Sequence, residues 1–496
     1  MPHTPYSRPM ATRETPIDRI ERLLASGDAE GALQAANAFL AQSPKSFLAR
    51  LARCRANLRL RNFVDAEADC ALALELSPRD EHANLIRANL DHRLGKIDAA
   101  IDRLRPIAVG KGPHAVEAAI NLLDALFYAD RNDALREFVK GGGAWTKDPR
   151  ALLMLARVRV LDDFEGGVAD MKAILRSAHP LPLRRVAGFE AVRLLDKKSR
   201  FREAFDLARE AHASTGAPFE IESIVAPLRA QTRAMKVRAA PMEERAPRVD
   251  GCAFVVAMPR SGTTLLEQML DRHPAIGGIG EFDGLDALCR TLDPFSNDAR
   301  FPENVPAGVL KAAQQRYIEG ARQIRKDGAR WTFDKSLRTW RCLPQLAATM
   351  PGAVCINVER DPRDMATSIF LSFFNPLAYA WTQSFESIRR IIEVERELVP
   401  VALANLGLSH ESIVYENLVE NPRGHAERCL SRMGLEMDER VLAPEGNTRG
   451  AFTLSHAQVR QPINRSSIGR WRNYEWAFDA SWEPLVAAHE RRIVKA

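Results

Sequence analysis

An apolar run followed at once by a Pro-Arg-Ser-Gly loop restricts the fold of this 496-residue chain more than any other feature of its sequence. Residues 253–258 have the length and the β-branched content of a buried strand, and residues 259–262 then break the pattern. Apolar residues recur at helical spacing from Leu265 to Leu270. The stretch therefore predicts a strand, a tight loop and a helix.

The chemistry of the predicted loop is that of an anion-binding site. Backbone N–H groups converge at the positive N-terminus of the following helix. Gly262 lets the backbone approach an anion closely, Thr263 and Thr264 add hydroxyl donors, and Arg260 adds a positive charge. An ordinary strand-to-helix turn without a ligand remains the alternative for the loop alone.

The loop departs from the nucleotide-triphosphate motif GxxxxGK[ST]. Gly262 and Thr264 fit this motif, but Ala257 replaces its first glycine and Thr263 replaces its lysine. A kinase or ATPase needs that lysine for the β- and γ-phosphates. The sequence therefore disfavours a nucleotide kinase and predicts a different phosphate ester as the ligand.

Length and composition indicate a soluble protein of two domains or more. Hydrophobic residues make up 46% of the chain and charged residues 27%, and the net charge of +6 is too small to indicate nucleic-acid binding. The seven cysteines are scattered without CxxC spacing, which predicts neither a disulfide framework nor a zinc site. No apolar run reaches membrane-spanning length, so we expect a cytoplasmic protein without a transmembrane segment.

Residues 17–237 show helical periodicity and almost no strand pattern. A small residue recurs every 34 positions, at Ala32, Ala66, Ala100 and Ala134. This period resembles the tetratricopeptide repeat, a solenoid of paired helices, and a plain helical bundle is the alternative. Stacked repeats would present a surface for a peptide, a protein partner or a second copy of the chain.

The remaining boundaries follow from local composition. Residues 1–16 are polar and Pro-rich and predict a disordered tail, whereas residues 238–250 are charged and Pro-bounded and predict a linker. Residues 251–496 are expected to form one domain. The predicted fold is an N-terminal all-α repeat solenoid followed by an α/β, P-loop-like domain with a central parallel sheet.

Two further motifs of the second half carry candidate functional groups. A Gly-rich stretch ends in Glu281, a candidate general base for which a helix-capping or solvated glutamate is the alternative. A predicted strand at residues 354–358 leads to Arg360, and Asp361 is placed to cap the helix that carries Ser368. Because ligands bind at the carboxyl ends of parallel strands, Arg360 and Ser368 can share one phosphate.

The final third of this half adds a strand and a basic segment. Residues 412–415 predict a strand that leads into Glu416, with a capped helix after Asn421. Residues 455–471 contain several arginines with a Pro and a Gly, which suits a basic lid over an anionic ligand. A solvated basic loop is the alternative.

Together these motifs resemble the sulfotransferase family over the whole second half. The resemblance implies a 3′-phosphate site at Arg360 and Ser368, with Tyr415 near the adenosine and Arg465 in the closing basic segment. It implies that the 5′-phosphosulfate of 3′-phosphoadenosine 5′-phosphosulfate is bound by Pro259, Arg260, Ser261, Gly262, Thr263 and Thr264.

Among the branches of the family, the chain is most similar to bacterial proteins with an N-terminal tetratricopeptide array and a C-terminal sulfotransferase domain. The tyrosylprotein sulfotransferases are a second, related branch. The catalytic base of the second branch maps onto Glu281, its lysine onto Lys335 and a serine onto Ser455. That branch has Glu-Glu where this chain has Gly280 and Glu281, which leaves the neighbouring acceptor contacts open.

The resemblance implies transfer of a sulfuryl group from that donor to an acceptor hydroxyl without a metal. Arg260, Lys335 and Ser455 would stabilise the developing charge. A tyrosine of a protein or peptide is one candidate acceptor, beside carbohydrates, lipids and small phenols. The alternative is a repeat-based binding scaffold with an inactive sulfotransferase-like domain, against which the intact Glu281 and Arg360 argue.

Overall fold

In a computed structural model of the chain, the first half contains helices and the second half contains a parallel sheet. The chain divides into two compact units, Met1–Asp170 and Met171–Ala496. The predicted boundaries at 17–237, 238–250 and 251–496 stay predictions. The structure describes residues 14–60, 62–93, 95–216, 219–237, 245–282, 284–285, 288–289, 305–376, 378–447 and 462–493. Most of the predicted tail and linker, at 1–13 and 238–244, lies outside these ranges.

The described part of the first unit is helical. The side chains of Thr15, Asp28 and Ser46 cap successive helices by accepting a backbone N–H three residues on. The helices are α1 Pro16–Ala25, α2 Ala29–Gln42, α3 Phe47–Arg59, α4 Phe63–Leu76, α5 Glu81–Arg93, α6 Ile97–Ala108, α7 Ala115–Tyr128, α8 Asn132–Gly141, α9 Leu152–Asp162 and α10 Phe164–Arg176, which spans the division.

Small residues let these helices approach one another. Ala32, Ala66 and Ala100 are fully buried, and each lies in an apolar cluster with residues of the helices before and after its own. Close approach of backbones requires a small side chain at such points. The predicted all-helical character of this region is confirmed, whereas the 34-residue repeat stays a prediction.

The second unit begins with three helices that pack on its α/β part. These are α11 Leu181–Lys197, α12 Phe201–Ala213 and α13 Glu222–Lys236. The ring of Phe205 lies 5.0 Å from that of Phe370 and 5.5 Å from that of Phe385. Arg229 of α13 forms an ion pair with Glu397 at 3.2 Å.

A five-stranded sheet forms the centre of the second unit, and every pairing in it is parallel. Its order is β2-β3-β1-β4-β5, so all carboxyl ends lie along one edge. This confirms the predicted central parallel sheet. The strands are β1 Cys252–Val256, β2 Ile276–Gly280, β3 Trp331–Asp334, β4 Val354–Glu359 and β5 Ser409–Val414.

Two of the strands have no clear strand signal in the sequence. β2 consists of Ile-Gly-Gly-Ile-Gly, and glycine has a low strand propensity. A Cβ atom on Gly277 would lie 2.4 Å from the Arg325 side chain, so close packing requires glycine there. β3 has four residues, too few for a recognisable alternation.

The helices around the sheet begin where the sequence predicts caps. Asp361 accepts the N–H of Arg363, and Asn421 accepts that of Gly424. The helices are α14 Thr263–Asp271, α15 Ala307–Ile324, α16 Leu343–Thr349, α17 Pro362–Phe370, α18 Phe385–Asn405, α19 Tyr415–Glu420, α20 Pro422–Arg432 and α21 Glu483–Ile493. Short 3₁₀ turns lie at Ala144–Lys147, Pro149–Ala151, Thr339–Arg341, Ala380–Gln383, Glu439–Leu442, Pro444–Gly446, Arg470–Ala477 and Ala480–Trp482.

Helix length and hydropathy bear on membrane insertion. In the part of the chain that the structure describes, no helix combines the length and the apolar character needed to cross a bilayer.

Candidate active site

A cavity of about 370 Å³ lies at the carboxyl edge of the sheet. Four strands are directly followed by a residue that lines it, and the loop after β1 lines it from Pro259 onward, as expected for a parallel α/β sheet. The lining residues are Pro259, Arg260, Gly262, Thr263, Thr264, Leu265, Glu281, Lys335, Leu337, Arg360, Asp364, Thr367, Ser368, Phe373, Phe374, Asn375, Tyr379, Tyr415, Pro462, Ile463, Asn464, Ser466, Ser467 and Arg470.

The loop after β1 has an unusual backbone that places the N-terminus of α14 at the cavity. Arg260 has a φ of 68° and Gly262 a φ of 94°, both in the left-handed region. The hydroxyl of Ser261 donates to the carbonyl of Met258 at 2.9 Å and holds this turn from within. A Cβ atom on Gly262 would lie 2.1 Å from the Tyr415 ring, so only glycine fits this position.

Two arginines and a serine meet beside this loop. The Nε atom of Arg260 donates to the Oγ of Ser368 at 2.7 Å, and Nη1 of Arg360 donates to the carbonyl of Arg260 at 2.9 Å. The guanidinium of Arg360 lies 4.9 Å from the centre of the Tyr415 ring. These contacts bring the predicted phosphate ligands of β1 and β4 together.

Arginine side chains outnumber the carboxylates at this loop, where Asp364 lies 3.6 Å from Arg360. Burial, together with the positive charges of Arg360 and Arg470, lowers the pKa of Arg260 to about 10. Like charges held this close repel one another in a medium of low polarity. A bound anion would relieve that repulsion, so the cluster is suited to an anionic ligand.

A second pair of groups lies where β2 and β3 end. The Nζ atom of Lys335 donates to Oε1 of Glu281 at 2.8 Å. The side chain of Lys335 is buried, with 1% exposed, whereas 47% of the Glu281 side chain is exposed. Since Gly280 of β2 pairs with Asp334 of β3 after a register shift, the residues that follow these strands are brought side by side.

The ends of these two strands are fixed by buried hydrogen bonds. Oε1 of Glu267 accepts the N–H of Gly280 at 2.8 Å, and the N–H of Lys335 donates to the Gly280 carbonyl at 2.9 Å. Asp334 accepts the hydroxyl of Tyr317 at 2.6 Å, and burial raises the pKa of Asp334 to about 6. The positions of Glu281 and Lys335 are therefore set by backbone that is held from behind.

Asp364, which the sequence analysis missed, fastens the C-terminal segment over the cavity. Its two carboxylate oxygens accept the N–H groups of Gly469, at 2.7 Å, and Trp471, at 2.9 Å. Arg360 lies 3.6 Å from the same carboxylate and donates to the carbonyl of Ser467. The spacing of Asp364 four residues after Arg360 on a capped helix is the signal that could have revealed it.

The structure places most predicted site residues on this cavity, but not all of them. Ser261 lies behind the loop, where its hydroxyl is used by Met258. Arg465 forms an ion pair with Glu420 and does not line the cavity. Ser455 lies outside the described residues. The role of every one of these residues stays a prediction.

One wall of the cavity consists of residues that the sequence analysis did not single out. It is mostly aromatic, with one leucine and one asparagine, and all of it except Leu337 lies in the segment after α17. The consecutive Phe373 and Phe374, which follow the helix that carries Ser368, are the available signal. These residues are Leu337, Phe373, Phe374, Asn375 and Tyr379.

The groups that can donate hydrogen bonds into the cavity are cationic side chains, hydroxyls and amides. Within the described ranges, no group of three or more His, Cys, Asp and Glu side chains is placed to hold a metal ion.

Comparisons with known proteins bear on the second unit. Residues 253–439 match the model of the sulfotransferase family. An uncharacterized protein of Aquifex aeolicus is 27% identical over 239 residues, which cover 45% of this chain and 30% of the relative. Protein-tyrosine sulfotransferase 2 of Gallus gallus is 23% identical over 242 residues, which cover 44% of this chain and 62% of the relative. The chain spans less than two thirds of the length of these curated relatives.

A solved structure gives a further comparison. The sulfotransferase domain from the Synechococcus PCC 7002 olefin synthase matches with a TM-score of 0.31 and 20% sequence identity. The match covers 48% of this chain and 99% of that domain.

Proposed function

We propose that this chain, whose residues 253–439 match the model of the sulfotransferase family, transfers a sulfuryl group from 3′-phosphoadenosine 5′-phosphosulfate to a hydroxyl group. The observation that carries the proposal is the hydrogen bond between Arg260 and Ser368, in a cavity that also holds Glu281 and Lys335. An anion-binding cluster and a carboxylate base thus share one cavity.

The cationic cluster suits the donor because the donor carries phosphate groups at two ends. Arg360 and Ser368 would hold the 3′-phosphate, and the ring of Tyr415 would lie along the nucleoside. The loop amides with Thr263, Thr264 and the guanidinium of Arg260 would hold the 5′ end. ATP has no 3′-phosphate, so this division also accounts for selection against ATP.

Glu281 and Lys335 suit the transfer step. The donor supplies an activated sulfuryl group when it is bound. Glu281, which is partly exposed to the cavity, would accept the proton of the acceptor hydroxyl as the new bond forms. Lys335 orients this carboxylate at 2.8 Å and would stabilise negative charge that develops on the transferred group and the departing phosphate.

The acceptor we propose is a hydroxyl on an aromatic ring, with a tyrosine of a protein or peptide as the first candidate. The aromatic wall formed by Phe373, Phe374 and Tyr379 supports a ring-shaped acceptor, because aromatic rings pack favourably against one another. The name of the Gallus gallus relative points to the same class. The helical repeats would position such a peptide or a protein partner.

Transfer of labelled sulfate tests this function directly. The full chain would be incubated with donor labelled in the sulfuryl group and with tyrosine peptides, small phenols or carbohydrates. We expect label on the hydroxyl of an aromatic acceptor with the wild type and almost none with Glu281→Gln. Donor binding without transfer to any of these classes would contradict the proposal.

A further inference from the structure

The second unit contains a buried guanidinium that forms no hydrogen bond to any residue that the structure describes. Arg185 of α11 is 1% exposed, and its Nε, Nη1 and Nη2 atoms have no hydrogen-bond partner among the described residues. Burial alone lowers its pKa. Arginine stays charged in proteins, so this is a buried positive charge without a counter-charge.

The surroundings of Arg185 are aromatic. Its Cζ atom lies 5.6 Å from the centres of the Phe189 and Phe373 rings, which offer only partial compensation through cation–π contacts. His212 is also buried, and its Nδ1 has no partner in the described structure. Burial, together with the charge of Arg185, lowers the pKa of His212 to about 4 against the hydrogen bond to the Phe370 carbonyl, so His212 adds no charge at neutral pH.

One ring connects this guanidinium with the active-site cavity. Phe373 lies against Arg185 and at the same time lines the cavity, beside Phe374 and Tyr379. These residues form the aromatic wall assigned above to the acceptor. Access of a ligand from the cavity to Arg185 would therefore require a movement of the Phe373 side chain.

We infer that Arg185 is an anion subsite for the acceptor and that the acceptor carries a carboxylate near its reactive hydroxyl. The inference rests on the proposed transfer function. A planar carboxylate matches the donor fork of a guanidinium, and one cation without a charged neighbour balances one negative charge. Selection of the acceptor would then depend on Arg185 of α11, a helix that precedes the strands of the sheet in the chain.

Calorimetric titration with benzoate and with its neutral analogue benzamide tests this subsite. The full chain is first saturated with adenosine 3′,5′-bisphosphate, so that the cations of the donor site are occupied. Arg185→Met removes the charge at nearly the same side-chain length. Arg193→Met is the matched control, because Arg193 lies on the same helix, is 55% exposed and pairs with Glu190.

We expect the wild type and Arg193→Met to bind benzoate at least about tenfold more tightly than benzamide, and Arg185→Met to lose this preference. Arg185→Met should also unfold at a temperature no lower than the wild type, since it removes an unpaired buried charge. Equal affinity of the wild type for benzoate and benzamide would overturn the inference, and this result needs no variant to fold. An unchanged preference in Arg185→Met would overturn it as well.

Binding of adenosine 3′,5′-bisphosphate tests the donor site separately from the Arg185 subsite. Failure of adenosine 3′,5′-bisphosphate to bind the wild type would count against the proposed function, whereas the benzoate preference reports on Arg185.

Discussion

The guanidinium of Arg260 donates to the hydroxyl of Ser368 across 2.7 Å, although the two residues lie 108 positions apart in the chain. This bond joins the loop after β1 to the helix after β4, on neighbouring strands of the sheet. Arg360 donates to the carbonyl of Arg260 in the same place. The three residues therefore form one anion-binding cluster, on which the proposed donor site depends.

Glu281→Gln should abolish most turnover and leave donor affinity nearly unchanged. The amide cannot accept the proton of the acceptor, which costs at least about 100-fold in kcat for a general base. Steady-state kinetics and titration with adenosine 3′,5′-bisphosphate measure the two effects. Glu203→Gln is the matched control, since both side chains are 47% exposed and both pair with a cation. Normal turnover in Glu281→Gln would remove this residue from the role.

Arg360→Ala should weaken binding of adenosine 3′,5′-bisphosphate by about 10- to 100-fold, the value of charge-assisted hydrogen bonds. ADP has no 3′-phosphate, so its affinity should change much less. Calorimetric titration with both nucleotides checks this. Arg432→Ala, which removes an exposed arginine paired with Glu411, is the control. The 3′-phosphate assignment fails when Arg360→Ala binds the bisphosphate as tightly as the wild type.

Gly262→Ala should weaken bisphosphate binding and destabilise the second unit by about 1–3 kcal/mol. The added Cβ atom would lie 2.1 Å from the Tyr415 ring, at a φ of 94° that alanine rarely adopts. Titration and urea unfolding measure the two effects. Gly308→Ala is the control, because its Cβ atom would meet open space in α15. Unaltered affinity in Gly262→Ala would show that the loop tolerates a side chain.

Glu395→Gln should change how stability depends on pH. Burial raises the pKa of Glu395 to about 7, the charge of Glu359 raises it too, and Arg396 and Arg492 oppose this. The folded chain thus keeps a proton that the unfolded chain releases above the ordinary value of 4.5. Wild-type stability therefore falls as the pH rises between these two values.

Glutamine does not titrate, so Glu395→Gln should gain about 1–3 kcal/mol relative to the wild type as the pH rises from about 4.5 to about 7. Urea unfolding followed by tryptophan fluorescence measures this difference. The control is Glu397→Gln on the same helix, where 47% of the side chain is exposed. Parallel pH profiles for Glu395→Gln and the wild type would contradict the assignment.

The sequence predicted those parts of the second unit that have strong local signals. The β-branched runs of β1 and β4 and the caps Asp361 and Asn421 are local features, and the structure confirms them. The strand predicted at 412–415 is β5 Ser409–Val414, and Tyr415, which was predicted as its last residue, begins α19 instead. β2 was missed because its glycines are required by neighbours distant in the chain, such as Arg325 beside Gly277. Its pairing with β3 could not be read from local patterns.

The same distinction holds for the candidate site. Arg260, Arg360 and Ser368 follow or lie within recognisable elements, so their sequence positions alone predict that they meet at one edge of the sheet. The approach of Lys335 to Glu281 depends on the pairing of β2 with β3. Arg185 gave no signal because its importance comes from burial without a partner, which only tertiary packing shows.

The most direct test of the central claim is calorimetric titration of the full chain with adenosine 3′,5′-bisphosphate and, in parallel, with ADP. We expect a Kd of about 1 μM or tighter for the bisphosphate and at least about tenfold weaker binding of ADP. Failure of both to bind, or equal affinity for the two, would contradict a donor site built on Arg260, Arg360 and Ser368.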